Sequence, residues 1–261
     1  MSDWKPDLYL AFEKERTQPS IDLVMKIEHE NPARIIDIGC GPGNSTNVLC
    51  SRWPQAQIIG LDSSQAMIEK AQATYPHMNW LRADAAGDLS VLGQFDIVFS
   101  NAAIQWIPNQ EKLLANLFNL LRPGGVLAVQ VPSTSNMPVN VELRNLAAAT
   151  KWQPHFASPC GNGSVRNEHF YYDVLCSFAD AIEMWVTNYC HVMGSHAEIV
   201  TWYSGSGLRP YLDSFDDESK RNAFLQAYEQ QLRDAYPAQK DGKILFPFTR
   251  IFFTAKKGET P

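Results

Sequence analysis

The sequence predicts a doubly wound α/β fold of the Rossmann type with a helical cap, on three observations. A branched apolar run, Ile35-Ile36-Asp37-Ile38, enters three alternate glycines, Gly39, Gly41 and Gly43, and then a helical pattern from Val48-Leu49-Cys50 to Trp53. Strand-like and helix-like segments alternate after it, with acids closing the second and third strands at Asp62 and Asp84. Leu121-Arg122-Pro123-Gly124-Gly125 then stops a helix ahead of another apolar run. Units of strand, glycine turn and helix place nucleotide-type ligands in the crevice beyond the strand ends.

Residues 4 to 30 precede the first strand. Tyr9, Phe12 and Glu13 share a helical face, and Pro19-Ser20 open a second amphipathic segment through Ile21, Leu23, Val24 and Ile27. These helices either cover the sheet edge or form a lid that uses Tyr9 and Arg16. The apolar, branched Ile35–Ile38 run reads as a buried parallel strand. Asn44-Ser45-Thr46 offer N-cap residues to the helix that follows. The glycine spacing departs from G-x-G-x-x-G, and Asp37 just before the loop repels a pyrophosphate but suits a ligand carrying a cationic group.

Gln57 to Asp62 reads as the second strand, its acid a little over twenty residues after Gly39, where such folds hold ribose hydroxyls; a strand-ending Asp also serves as a turn former. Ser63 and Ser64 cap the next helix, with Ala66, Met67 and Ala71 at helical spacing. Trp80 to Ala85 is a third strand ending near Asp84, and Phe95 to Asn101 a fourth. Glu111 to Leu121 carries a leucine stripe, and Val126 to Val131 is the fifth strand. Later, helices are predicted over Val139 to Thr150, His169 to Phe178, Ser195 to Ser204 and Asp216 to Tyr236, with Gly205 to Pro210 as a turn. Strands six and seven are Ile182 to Tyr189 and Lys243 to Thr254. The chain reads as one domain over 1–261, with cap elements 1–30, 135–178 and 195–240 on a core of 31–134 plus 180–255.

The chain has 261 residues, 45% hydrophobic and 19% charged, an ordinary globular composition. A net charge of −6 argues against a nucleic-acid binder, and an anionic substrate must be drawn in by local cations. Cys40, Cys50, Cys160, Cys176 and Cys190 are odd in number and lack C-x-x-C spacing, as in a reducing compartment. Met1 to Pro6 contain no signal-like apolar stretch and no run reaches membrane-span length, which predicts a cytoplasmic protein without membrane contact. His155, His191 and His196 read as structural, and no pair has metal-ligand spacing.

Asp37 with Gly39, Gly41 and Gly43, Asp62-Ser63-Ser64-Gln65-Ala66-Met67, and Leu121-Arg122-Pro123-Gly124-Gly125 together resemble the class I S-adenosylmethionine-dependent methyltransferases. The resemblance implies a seven-stranded, Rossmann-like sheet, mostly parallel with the last strand antiparallel, and S-adenosylmethionine as cofactor without a metal. It implies cofactor contacts from Arg16, Asp37, Gly39, Gly41, Asn44, Asp62, Ser63, Met67, Asp84, Ala85 and Asn101, with Gln105 and Trp106 at the methyl-transfer position. Cap motifs extend the likeness to about Phe253 and imply esterification of one carboxylate of a small anionic tricarboxylate. The stretch 158–167 fits this pattern least.

A carboxylate nucleophile, with a reference pKa of roughly 4, is already ionised near neutrality, so no general base is needed. Multiple carboxylates call for arginines, whose planar fork pairs bidentately. Arg209 on the cap turn and Arg250 in the last strand are the first candidates; Tyr9, Trp106, Arg166, His169, Tyr171 and Tyr172 follow. A methyltransferase for another small acceptor and a non-catalytic cofactor-binding protein are the alternatives.

Overall fold

The computed structural model describes residues 12–156 and 165–259. Tyr9 and Cys160, together with most of the divergent 158–167 stretch, therefore lie outside the described residues. In chain order the elements are α1 (Glu13–Met25), β1 (Arg34–Ile38), α2 (Asn44–Arg52), β2 (Gln57–Asp62), α3 (Gln65–Thr74), β3 (Asn79–Arg82) and β4 (Phe95–Asn101). A short 3₁₀ turn, Ile104–Trp106, leads to α4 (Gln110–Asn119), β5 (Leu121–Pro132), α5 (Pro138–Ala148), α6 (Glu168–Leu175) and β6 (Ala181–Met193). Then come α7 (His196–Ser204), α8 (Arg209–Leu212), α9 (Glu218–Ala235) and β7 (Ile244–Lys256).

The seven strands form one sheet in the order β3-β2-β1-β4-β5-β7-β6. β1 to β5 pair in parallel, and β7 runs antiparallel to both β5 and β6. The predicted mixed sheet is thus observed. Its order reverses between β1 and β4, which opens the crevice in front of the glycine loop.

Side-chain alternation along the strands divides the core. Ile36, Ile38, Val98, Leu127, Val129, Ile251 and Phe253 face α4 and α6. Ile35, Ile97, Phe99, Ala128 and Phe252 face Leu23, Val24 and Ile27 from α1 and its end, and Leu49 and Trp53 from α2 and its end. Burial on both faces explains why these strands read as continuous apolar runs. A further cluster, rich in aromatic rings, joins α5, α7, α8 and α9 to the far ends of β6 and β7 through Trp202, Tyr203, Tyr211, Phe224, Tyr228, Phe246 and Phe248.

Four local expectations change. α1 runs unbroken through Pro19, although proline removes a helical donor. The burial of Leu23, Val24 and Ile27 against the sheet outweighs that local cost. α2 is capped by the backbone of Gly43 in a left-handed conformation, not by a side-chain cap, because Ser45 and Thr46 turn inward. The Pro123-Gly124-Gly125 stop belongs to β5, which starts at Leu121. Arg209 opens the short helix α8, not a turn.

Gly39 must be glycine for two separable reasons. Its φ is +71°, and a Cβ there would sit 2.2 Å from the Ala103 Cβ, whereas Gly41, at φ +54°, has nothing within 4 Å. Gly41→Ala should therefore cost about 1 kcal/mol from backbone strain alone. Gly39→Ala should cost about 3 kcal/mol as overlap adds to strain. Denaturant unfolding of both variants checks the difference; equal losses would mean that Ala103 moves aside freely.

Candidate active site

The site begins beneath the glycine loop. Asp37, near the end of β1, is wholly buried, and its Oδ2 accepts from Ser45 Oγ at 2.6 Å and Thr46 Oγ1 at 2.7 Å. Burial pushes its pKa from 3.8 to about 6 despite these two hydroxyls, with Asp62 raising it further. Its Oδ1 is buried without a partner among the described residues. Asp37 thus braces the loop to the first turn of α2 from below, instead of facing the crevice.

Asp62 fixes the loop from the other side. Its Oδ2 accepts from the Gly41 amide at 2.9 Å, and its Oδ1 from the Ser64 amide at 2.8 Å. Each carboxylate oxygen has a second lone pair, so this anchored group can still accept from a ligand hydroxyl. Ser64 caps α3 by accepting from the Met67 amide, which holds Met67 buried, while Ser63 is exposed. Asp84 is exposed in a turn that its Oδ1 closes by accepting from the Ala86 amide at 2.9 Å, and Ala85 is buried beside it.

A small notch of about 30 Å³ lies over the loop, lined by Arg16, Thr17 and Ser20 of α1, Gly39 to Pro42, Asn44, Ser45 and Asn101. Arg16 also ties α1 to α7: its Nη2 donates to the Trp202 carbonyl at 2.9 Å, and its guanidinium lies 4.8 Å from that ring centre. After Asn101 the chain adopts φ +55° at Ala102, an uncommon conformation for a residue with a side chain. Gln105 supports it, with Nε2 donating to the Ala102 carbonyl at 2.7 Å. Gln105 Oε1 and Asn101 Oδ1 are buried without partners among the described residues. Trp106 is half-buried beside them. The notch therefore sets an unsatisfied acceptor, Asn101 Oδ1, beside the Arg16 guanidinium, a lining that fits a ligand carrying both N–H or O–H donors and an anionic group.

The substrate candidates do not converge. Arg250 of β7 is buried on the α1 face, 4.7 Å from the Phe248 ring centre, and its Nη1 donates to Gln130 Oε1 at 3.2 Å. Arg166 and His169 line a broad, open groove of about 1150 Å³ together with Asn136, Asn188 and Thr249. Thr249 and Arg250 are adjacent on β7, so the groove and Arg250 lie on opposite faces of the sheet. Tyr171 is a core residue: it is fully buried and its hydroxyl donates to Gln110 Oε1 at 2.9 Å, while Tyr172 is exposed on the outside of α6. Arg209 pairs at 3.7 Å with Asp213, which caps the end of α8, and lines neither cavity. Among the described residues no group of three or more His, Cys, Asp or Glu is placed to hold a metal, and no helix is long and apolar enough to cross a membrane.

Sequence reasoning missed the hydroxyl brace of Ser45 and Thr46, the Thr17 and Ser20 lining, and Gln130. Only Gln130 carried a visible signal, as a polar residue inside the apolar run Val126 to Val131.

A family profile described as a methyltransferase domain matches residues 35–125. The YcgJ protein of Bacillus subtilis superposes with a TM-score of 0.59 at 16% identity, over 93% of this chain and 99% of its own. A phosphoethanolamine N-methyltransferase of Haemonchus contortus, solved with S-adenosyl-L-methionine, gives 0.54 at 18% identity over 92% of this chain and 52% of its own. The sheet and the matched domain define a Rossmann-like methyltransferase. More specific are the trans-aconitate 2-methyltransferases of Escherichia coli K12, 40% identical over 99% of this chain and 100% of theirs, and of Methylobacterium radiotolerans, 42% identical over 98% and 99%. The chain belongs to the trans-aconitate 2-methyltransferase family.

His191 supplies a pH signature of this region. Burial first, then Arg250 and Arg16, lower its pKa from 6.5 to about 4 against an opposing pull from Glu15. A lowered histidine pKa means that the unfolded chain takes up a proton the folded chain refuses, so stability falls as pH drops from about 6.5 towards 4. Asp37, raised to about 6, acts oppositely, losing stability as pH rises from about 4 through 6. His191→Gln should therefore shrink the drop in Tm between pH 7 and pH 5 by at least about 2 °C. Thermal unfolding at the two pH values checks it; an unchanged drop would show that His191 is not buried neutral.

Proposed function

We propose that this protein is an S-adenosylmethionine-dependent O-methyltransferase that esterifies one carboxylate of trans-aconitate. The observation that carries the reading is 40% identity along the entire length of relatives named for that reaction, so that the likeness includes the elements outside the matched domain. In this reading the chain is one domain, and α1, α5 to α9 and their connections form the cap that selects the acceptor.

The crevice so lined suits the cofactor. Gly39, Gly41 and Asn44 admit it closely, Asp62 takes the ribose hydroxyls, and Asn101 and Gln105 take donors near the methionine end, with Arg16 above. Ser63, Met67, Asp84 and Ala85 flank the adenine side, and Trp106 borders the methyl-transfer position. When bound, S-adenosylmethionine would supply a sulfonium methyl for exchange onto the acceptor oxygen, with S-adenosylhomocysteine as the leaving group. No proton moves in that exchange. The protein's contribution is to hold the acceptor oxygen in line and to exclude water, since the charges on nucleophile and sulfonium cancel as reaction proceeds.

Arg250 is the acceptor's carboxylate anchor in this reading, because it lies buried on the α1 face that also carries Asn101. Arg166 and His169 flank an outer groove and serve, at most, the approach of an anion. Purified protein with labelled cofactor should yield a monomethyl ester of trans-aconitate and S-adenosylhomocysteine. Arg250→Met should lower kcat/KM by about a hundredfold, since it removes a charged, buried hydrogen-bonding partner. A preference for another acid in a panel of di- and tricarboxylates would reassign the acceptor, and cofactor binding without turnover on any acceptor would leave a binding protein.

A further inference from the structure

A row of polar side chains crosses the sheet on the face covered by α1. Strand register sets Asn101 of β4 beside Gln130 of β5, and Gln130 beside Phe252, two residues from Arg250 on the same face of β7. Gln130 is fully buried in a strand whose neighbours Val129 and Val131 are apolar. A guanidinium has donors only, so the Gln130 atom facing Arg250 Nη1 at 3.2 Å is the amide oxygen. That contact fixes the rotation of the amide. Its Nε2 must then point away from Arg250, and it is buried with no partner among the described residues.

A buried N–H₂ without an acceptor is rare in native interiors and asks for one. The surroundings state its chemistry. The Arg250 guanidinium lies against Gln130 and Arg16 lines the notch, with the Glu15 carboxylate as the opposing charge near His191. Asn101, the other neighbour, lines the notch over the glycine loop. Asn101 Oδ1, itself without a partner among the described residues, is the neutral acceptor nearest in register; beside the Arg250 guanidinium an anionic acceptor reached from the crevice takes that N–H₂ with the added attraction of charge.

We propose that Gln130 is a specificity-determining residue for the methyl acceptor: its Nε2 donates to one oxygen of the carboxylate that Arg250 binds. This rests on the proposed function and adds the recognising residue. A seat made of an amide N–H₂ and a guanidinium offers donors alone, so it accepts a carboxylate and rejects the corresponding primary amide or methyl ester. It follows that the seated carboxylate is not the one that is methylated.

The test is steady-state kinetics with trans-aconitate on Gln130→Glu and Gln130→Met, alongside S-adenosylhomocysteine affinity by calorimetry. Gln130→Glu keeps the shape and the acceptor for Arg250 but replaces the donor with negative charge. It should raise KM for the acid by about a hundredfold; Gln130→Met should raise it about tenfold. In both, kcat and the affinity for S-adenosylhomocysteine should change by less than about threefold. Should Gln130→Glu fail to fold, Gln130→Met carries the same readout. An unchanged KM in a variant of an active wild type overturns the assignment, as does a loss that falls on cofactor affinity instead. A wild type that neither methylates nor binds any carboxylic acid overturns the proposed function, and the seat with it.

Discussion

The buried carboxylate of Asp37 is the constraint on which the crevice depends. A charge in that position is costly, and its elevated pKa reflects that cost. Two hydroxyls from the first turn of α2 satisfy one of its oxygens, and so lock the end of β1 to the start of the helix. With the loop tied below by Asp37 and at its middle by Asp62, Gly39, Gly41 and Gly43 hold positive φ in a single arrangement. A ligand then meets a backbone that is already shaped, and little ordering remains to oppose binding.

Two electrostatic regions follow from this scaffold. In the proposed reading, Asp62, Asn101 and Gln105 around the loop present oxygens to the cofactor. Farther across the sheet, on β5 and β7, Gln130 and Arg250 are the N–H groups proposed to meet the acceptor's carboxylate. The opposite preferences sit on neighbouring strands because the order β1-β4-β5-β7 brings their ends together on one face. On that reading a cationic methyl donor and an anionic acceptor are held side by side in a protein whose net charge is −6, because the buried Arg250 acts locally at lower dielectric.

The core of the fold was legible because it rests on local patterns. Branched runs, the glycine turn and the strand-ending Asp62 are visible as residues in order, and their boundaries differ from the structure by only a few positions. What escaped depends on partners distant in sequence. Pro19 looks like a helix boundary until α1 is laid on the sheet. Ser45 and Thr46 look like caps until Asp37 is found beneath them. Tyr171 and Arg209 have the chemistry of a binding site, yet one hydroxyl is used by Gln110 and the other residue pairs with Asp213. The separation of Arg166 and His169 from Arg250 depends on which way successive β7 residues point, which requires the register of the strand.

The most direct measurement is calorimetric titration of the full chain with S-adenosylhomocysteine, in wild type and in Asp62→Asn. A preorganised loop predicts saturable binding at one site per chain, weakened at least about tenfold when the carboxylate proposed to meet the ribose is replaced by an amide. Absence of binding, or equal affinity in the two proteins, would contradict the account.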